Sequence, residues 1–211
     1  MTSHEEILRR VRDGLRALPD DEHTGPVARA YPPQAADVSP IDHAAIVELF
    51  AERLTHYDAR VHRIDESQIA ATLHAVLTSH GVESVIAPDG LPRNWLAAWA
   101  IAGDHRIRAD LPADDPDRAD ALVTTCAGAV ADSGTVVLDG GPGQGRHAPT
   151  LLPDRHICVV RAAQVVSSLP DVLDRLDPLG PVTFFSGPSA TVDLEMTRRH
   201  GPRRLDVIIM E

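Results

Sequence analysis

The chain of 211 residues contains no lysine, and all twenty of its basic residues are arginine. Schiff-base chemistry and a P-loop lysine are therefore excluded, whatever the fold. Cysteine is scarce too. Cys126 and Cys158 are too few for the four thiolates of a usual iron–sulfur cluster and are not spaced as a CxxC pair. Cys158 falls in an apolar run and is expected in the core; Cys126, where a strand meets a turn, is the candidate for a reactive thiol. Aromatics make up only 3% of the residues, so the core must rest on Val, Leu, Ile and Ala. Positive charge is outweighed, with a net charge of −11, which speaks against nucleic acid as a partner. No apolar run approaches the roughly 18–20 residues that span a bilayer. The opening MTSHEEILRR has no signal-peptide core, so no membrane partner and a cytoplasmic location are expected. The eleven histidines are scattered. His147 and His156 flank a glycine run with Asp154 nearby, but no HxxxH or HxH spacing supports a metal site. Neither a metal nor a cofactor is expected.

What the chain does have is that glycine run, within GTVVLDGGPGQGRHAPTLLPDRH at residues 134–156. Thr135, Val136, Val137 and Leu138 read as a short buried strand. Gly140, Gly141, Gly143 and Gly145 then mark backbone at positive φ, or backbone that another group approaches closely. Arg146 follows at once with a planar fork of donors suited to carboxylate or phosphate, and residues 157–160 form a second strand. A dinucleotide fingerprint is excluded, because the spacing is GxGxG and Pro149 and Pro153 leave no room for the helix that must follow. Two readings stand, a long tight turn and an anion cradle.

The rest of the chain alternates helix and strand, the mark of an α/β domain with parallel pairing. Ser3 and Glu6 make a capping box for a first helix ending near residue 18. Five prolines follow in residues 19–40, a linker or extended strap. Residues 1–40 are thus expected to form a helical arm, and 41–211 the compact domain. Helices are expected over 42–57, with Ile46, Leu49, Phe50, Leu54 and Tyr57 inward, over 67–80, 95–101, and 162–176 with a kink at Pro170. Strands are expected at 61–64, 82–87, 121–125, 128–131, 182–185 and 205–210. Residues 110–120 read as acidic surface.

A second loop stands out at residues 186–195, SGPSATVDLE. A strand runs into Ser186, Gly187 and Ser189, and a helix is expected to begin there, turning free amides and hydroxyls toward the end of the sheet. A simple N-cap, with Ser189 or Thr191 as the cap, is the plainer reading, and both can hold at once. Glu195, one turn in, is the candidate catalytic carboxylate; beyond it the catalytic residues are unknown. Loops that follow parallel strands gather on one rim, so the two loops are expected to share a pocket that prefers an anion, with Arg146 as its main charged contact.

The stretches ADSGTVVLDGGPGQGRHAPTLLPDRHICVV and FFSGPSATVDLEMTRRHGPRRLDVII resemble the LUD domain of the lactate utilization protein C family. The resemblance is most specific over 121–209. It departs at residues 197–202, TRRHGP, where the family has a longer TRxxGxHGP segment. It implies a mostly parallel sheet flanked by helices, similar to the sugar-phosphate isomerase and CoA-transferase group. It also implies a place in a system that oxidises L-lactate to pyruvate, with iron–sulfur partner proteins as the electron carriers. Two functional expectations follow. One is a non-redox accessory subunit of that system. The other is a protein, with a homo-oligomer as one form, that binds or converts an anionic small molecule such as a sugar phosphate, nucleotide or CoA ester.

Overall fold

A computed structural model of the chain describes residues 3–16, 42–109, 119–145, 153–189 and 201–211. The chain divides into two units, Met1–Pro40 and Ile41–Glu211. In the first, α1 spans Ser3–Arg16. One face is laced by exposed pairs of Glu6 with Arg9 and Arg10 and of Arg9 with Asp13. Ile7, Val11 and Leu15 line the apolar stripe and stand exposed. The strap expected over 19–40 lies outside the described residues.

The second unit is built on six parallel strands. In chain order these are β1 (Arg60–Ile64), β2 (Ser84–Ile86), β3 (Arg106–Arg108), β4 (Ala121–Thr124), β7 (Arg155–Arg161) and β10 (Arg204–Met210). Their spatial order is β1-β10-β7-β4-β2-β3, and every pairing is parallel. A smaller sheet of order β8-β5-β6-β9 comprises β5 (Gly128–Val130), β6 (Thr135–Leu138), β8 (Val165–Val166) and β9 (Thr183–Phe185). The parallel α/β architecture read from the sequence is therefore the one observed, with a second sheet added.

Alternation along β10 explains the layering. Leu205, Val207 and Ile209 pack with Val136, Leu138 and Phe185 of the small sheet and with Phe50 and Leu54. Ile208 packs on the other face with Leu73, Leu77 and Trp99. The two faces of a strand thus serve two cores, as a strand buried on both sides requires. Phe50 and Leu54 belong to α2 (His43–His56), which opens where the Asp42 side chain accepts from the Ala44 amide at 3.1 Å. Leu73 and Leu77 belong to α3 (Ile69–Ser79), and Trp99 to α4 (Asn94–Ile101). Tyr57, expected inward, is 48% exposed because α2 ends one residue before it.

Two further expectations are corrected. Residues 162–176 are not one helix: a 3-10 turn at Ala162–Gln164 leads into β8, and a short α5 covers Leu169–Leu173. Val165 and Val166 are β-branched and pair with Ala129 and Val130, which offers them a strand edge that suits them better than a helix. Pro170 begins α5 instead of kinking it; the Asp171 carboxylate accepts from both the Ser168 amide and hydroxyl, at 3.1 and 2.8 Å. β3, RIR, is a strand that the sequence pattern does not announce, since it has no apolar run. The two strands that flank the glycine run lie in different sheets, β6 in the small one and β7 in the large one.

Candidate functional site

The glycine loop leaves β6 at Leu138 and is held by its own polar groups. The Gln144 side chain, 5% exposed, accepts from the Asp139 amide at 2.7 Å. The Asp139 carboxylate accepts from the Gly141 amide at 2.9 Å, and the Gln144 amide donates to Gly141 O. Gly143 N donates to Asp89 O at 2.7 Å, while Thr125 donates to the loop through its amide and its hydroxyl. Gly140, Gly143 and Gly145 have φ near +75° to +78°, as their spacing suggests. The amides of Gly141 and Gln144 are engaged within the loop and that of Gly143 by Asp89 O, so the loop in this form is a tight turn with these donors used. Gly140, Gly141 and Gly145 still line a cavity of about 410 Å³ with Pro88, Asp89 and Ala109. Pro88 and Ala109 follow β2 and β3, so this cavity sits at the carboxyl rim of the large sheet. Arg146 lies outside the described residues.

The serine loop leaves β9 at Phe185. The Ser186 hydroxyl pairs with Thr135 Oγ1 at 2.7 Å, which pairs in turn with Ser133. Gly187 takes φ +105°, and a Cβ there would meet the Cβ of Tyr57 at 2.7 Å. Glycine is required by both conformation and space. The Ser189 amide donates to Pro202 O at 2.8 Å. Ser186 and Ser189 line a cavity of about 520 Å³ together with Arg60, Arg203, Arg204 and Asp206. Arg60 and Arg204 are the first residues of β1 and β10, which places this cavity at the amino rim. Thr191, Glu195 and the expected helix lie outside the described residues, as do residues 197–200 of the shortened segment.

The expectation of one shared pocket is therefore corrected. β6 and β9 pair antiparallel, with Val136 opposite Phe185 and Leu138 opposite Thr183. Antiparallel neighbours send their following loops to opposite ends. The two loops line separate cavities, one at each rim.

The amino rim carries a group of residues that sequence reading misses. Register places Arg60 opposite Asp206 and Arg204 opposite Arg155, and alternation along β10 puts Arg204 and Asp206 on one face. Asp206 is 1% exposed. Its carboxylate oxygens face His62 Nε2 at 3.2 Å and His80 Nε2 at 3.7 Å. Arg60 Nη1 reaches the same His80 nitrogen at 3.2 Å. Burial, then the Arg155 guanidinium, hold His80 below the ordinary imidazole range. Burial, then Arg204, lower Arg155. The arginines come from positions 60, 155 and 204, and only the register of three strands unites them.

Most of the chain has counterparts in known proteins. A family model described as the LUD domain matches residues 47–210. This chain belongs to the LUD domain family. Among LUD relatives, Lactate utilization protein C of Deinococcus radiodurans is 35% identical over 190 residues, covering 86% of each chain. Lactate utilization protein C of Halalkalibacterium halodurans is 26% identical, covering 79% of each. The crystal structure of a DUF162 family protein from Deinococcus radiodurans superposes with a TM-score of 0.68 at 33% identity, covering 82% of this chain and 100% of that one.

Both thiols of this LUD chain are inside. Cys126 and Cys158 are 4% and 0% exposed, so the candidate for a reactive thiol is corrected. A hydrogen bond with Cys158, followed by burial, pushes the Cys126 thiol well up, which suppresses the thiolate that reactivity needs. Their sulfurs face Gln164 Oε1 and Thr125 O, each at 3.7 Å. Among the described residues, no group of His, Cys, Asp and Glu is placed to hold a metal ion. No described helix is long and apolar enough to cross a membrane.

Proposed function

We propose that this LUD protein is a non-redox subunit or accessory protein of an L-lactate utilization system, acting in the cytoplasm beside iron–sulfur partner proteins. The observation that carries the reading is the disposition of its cysteines. Oxidation of lactate to pyruvate releases two electrons and two protons, and a thiolate-bound cluster is one carrier for those electrons. This chain has two cysteines, both buried, and so lacks the ligand set of a usual cluster. Its relatives named Lactate utilization protein C support the lactate context. The electron carrier then belongs to another chain.

The test is affinity purification of the tagged chain from lactate-grown cells under anaerobic conditions, with iron analysis of each band. We expect an iron-bearing protein to co-purify, and the chain freed from it to be colourless and iron-free. Stoichiometric iron in the isolated chain, or the absence of any iron-bearing partner, overturns the reading.

A further inference from the structure

We propose that the amino-rim cavity binds a phosphorylated polyhydroxy compound, a sugar or nucleoside phosphate, with Arg60, Arg203 and Arg204 of its wall receiving the phosphoryl group. This goes beyond the lactate reading and stands without it.

The first support is charge. In a chain of net charge −11, four guanidiniums gather at this rim: Arg60, Arg203 and Arg204 in the cavity wall, and Arg155 in register beside Arg204. Strands in register lie about 4.8 Å apart, a spacing at which like charges repel unless something negative sits between them. The carboxylates at hand are Asp58 and Asp206 in the wall, with Asp206 and then Asp154 acting on Arg155. Asp206 is turned to the two histidines, and Arg60 is turned to His80. Arg155, Arg203 and Arg204 enter none of the ion pairs found among the described residues, and Arg155 Nη1 is buried with no hydrogen-bond partner. A buried donor left unpaired is costly, and a phosphoryl group is an acceptor that a guanidinium fork can hold bidentately.

The second support is the mixture of groups. A site for a bare anion has no use for carboxylates in its wall. Asp58 and the hydroxyl-bearing Ser186 and Ser189 line the same cavity, and such groups bind the hydroxyls of a sugar. The volume, about 520 Å³, falls within the range of small-molecule sites and greatly exceeds what one phosphate fills. Nucleotides in α/β proteins ordinarily bind at the carboxyl rim; here the basic cavity is at the other one.

The experiment is calorimetric titration of the full chain with ribose 5-phosphate, inorganic phosphate and ribose, repeated at raised salt. We expect ribose 5-phosphate to bind most tightly, phosphate more weakly and ribose weakest, with affinity falling as salt rises. Arg60→Ala and Arg204→Ala, both exposed positions, are each expected to weaken ribose 5-phosphate by about tenfold or more without moving the melting temperature, and Arg106→Ala to leave it unchanged. Serving as a second readout, the phosphorus resonance of the ligand should broaden with the parent chain and not with Arg204→Ala. Ribose 5-phosphate binding no tighter than ribose, phosphate binding as tightly as the ester, or undiminished affinity in both rim variants overturns the proposal.

Discussion

The ring of His156 and the hydroxyl of Thr124 meet at 2.7 Å inside the sheet, on adjacent strands β7 and β4. The ring is fully buried and packs edge-on against Phe185 at 5.0 Å. Among the described residues its other nitrogen, Nδ1, has no hydrogen-bond partner, so among them this contact alone satisfies the imidazole. Thr124→Val keeps the shape and removes the partner, and should cost roughly 1–3 kcal/mol. Urea unfolding of the two proteins measures it, and an unchanged midpoint would show that the contact contributes nothing.

The same histidine sets a pH dependence. Burial lowers its pKa to about 3, against about 6.5 in the unfolded chain. The folded state therefore holds the ring neutral while the unfolded state takes up a proton as pH falls. Its contribution is complete above about pH 6.5 and is lost progressively toward pH 3. His80, also lowered by burial, acts in the same direction. Stability should fall by about 2 kcal/mol between pH 7 and pH 5. A flat profile across that window, followed by urea unfolding, contradicts the assignment.

The thiols give a third test. Cys126 and Cys158 should resist a water-soluble thiol reagent in the native protein and react together once denaturant is added. Rapid labelling of either under native conditions would place it at the surface.

Gly90 joins the turn after β2 to the glycine loop. Its φ is +96°, and a Cβ there would lie 2.7 Å from both Gly143 N and Pro142 Cβ. Backbone cannot yield as a flexible side chain can, so Gly90→Ala should destabilise by about 2 kcal/mol or more. A melting temperature equal to that of the parent would show that the two loops are not in close contact.

Much of the fold is legible in the residues themselves. β-branched runs such as Val136-Val137 and Val207-Ile208-Ile209 announce buried strands, and Ile69, Leu73, Val76 and Leu77 fall on one helical stripe. β3 stays hidden because Arg106-Ile107-Arg108 is too short and too charged to stand out, and it owes its place to the edge of β2. The GGPGQG motif is plain in the sequence, but not that Asp139 and Asp89 engage its Gly141 and Gly143 amides. The amino-rim arginines are the least legible. Nothing local links positions 60, 155 and 204; strand order and register bring them together.

We expect residues 1–38 to be dispensable for folding, since Ile41–Glu211 forms its own compact unit around the two cores of the large sheet. The truncated chain should melt cooperatively, as scanning calorimetry will show. An insoluble product or a broad, non-cooperative transition means that the arm completes the core.

The most direct measurement of the functional account is growth. In the source organism, deletion of the coding sequence for this chain should abolish growth on L-lactate as sole carbon source and leave growth on pyruvate unchanged. A plasmid copy of the parent sequence should restore it. Undiminished growth of the deletion strain on lactate would contradict the account.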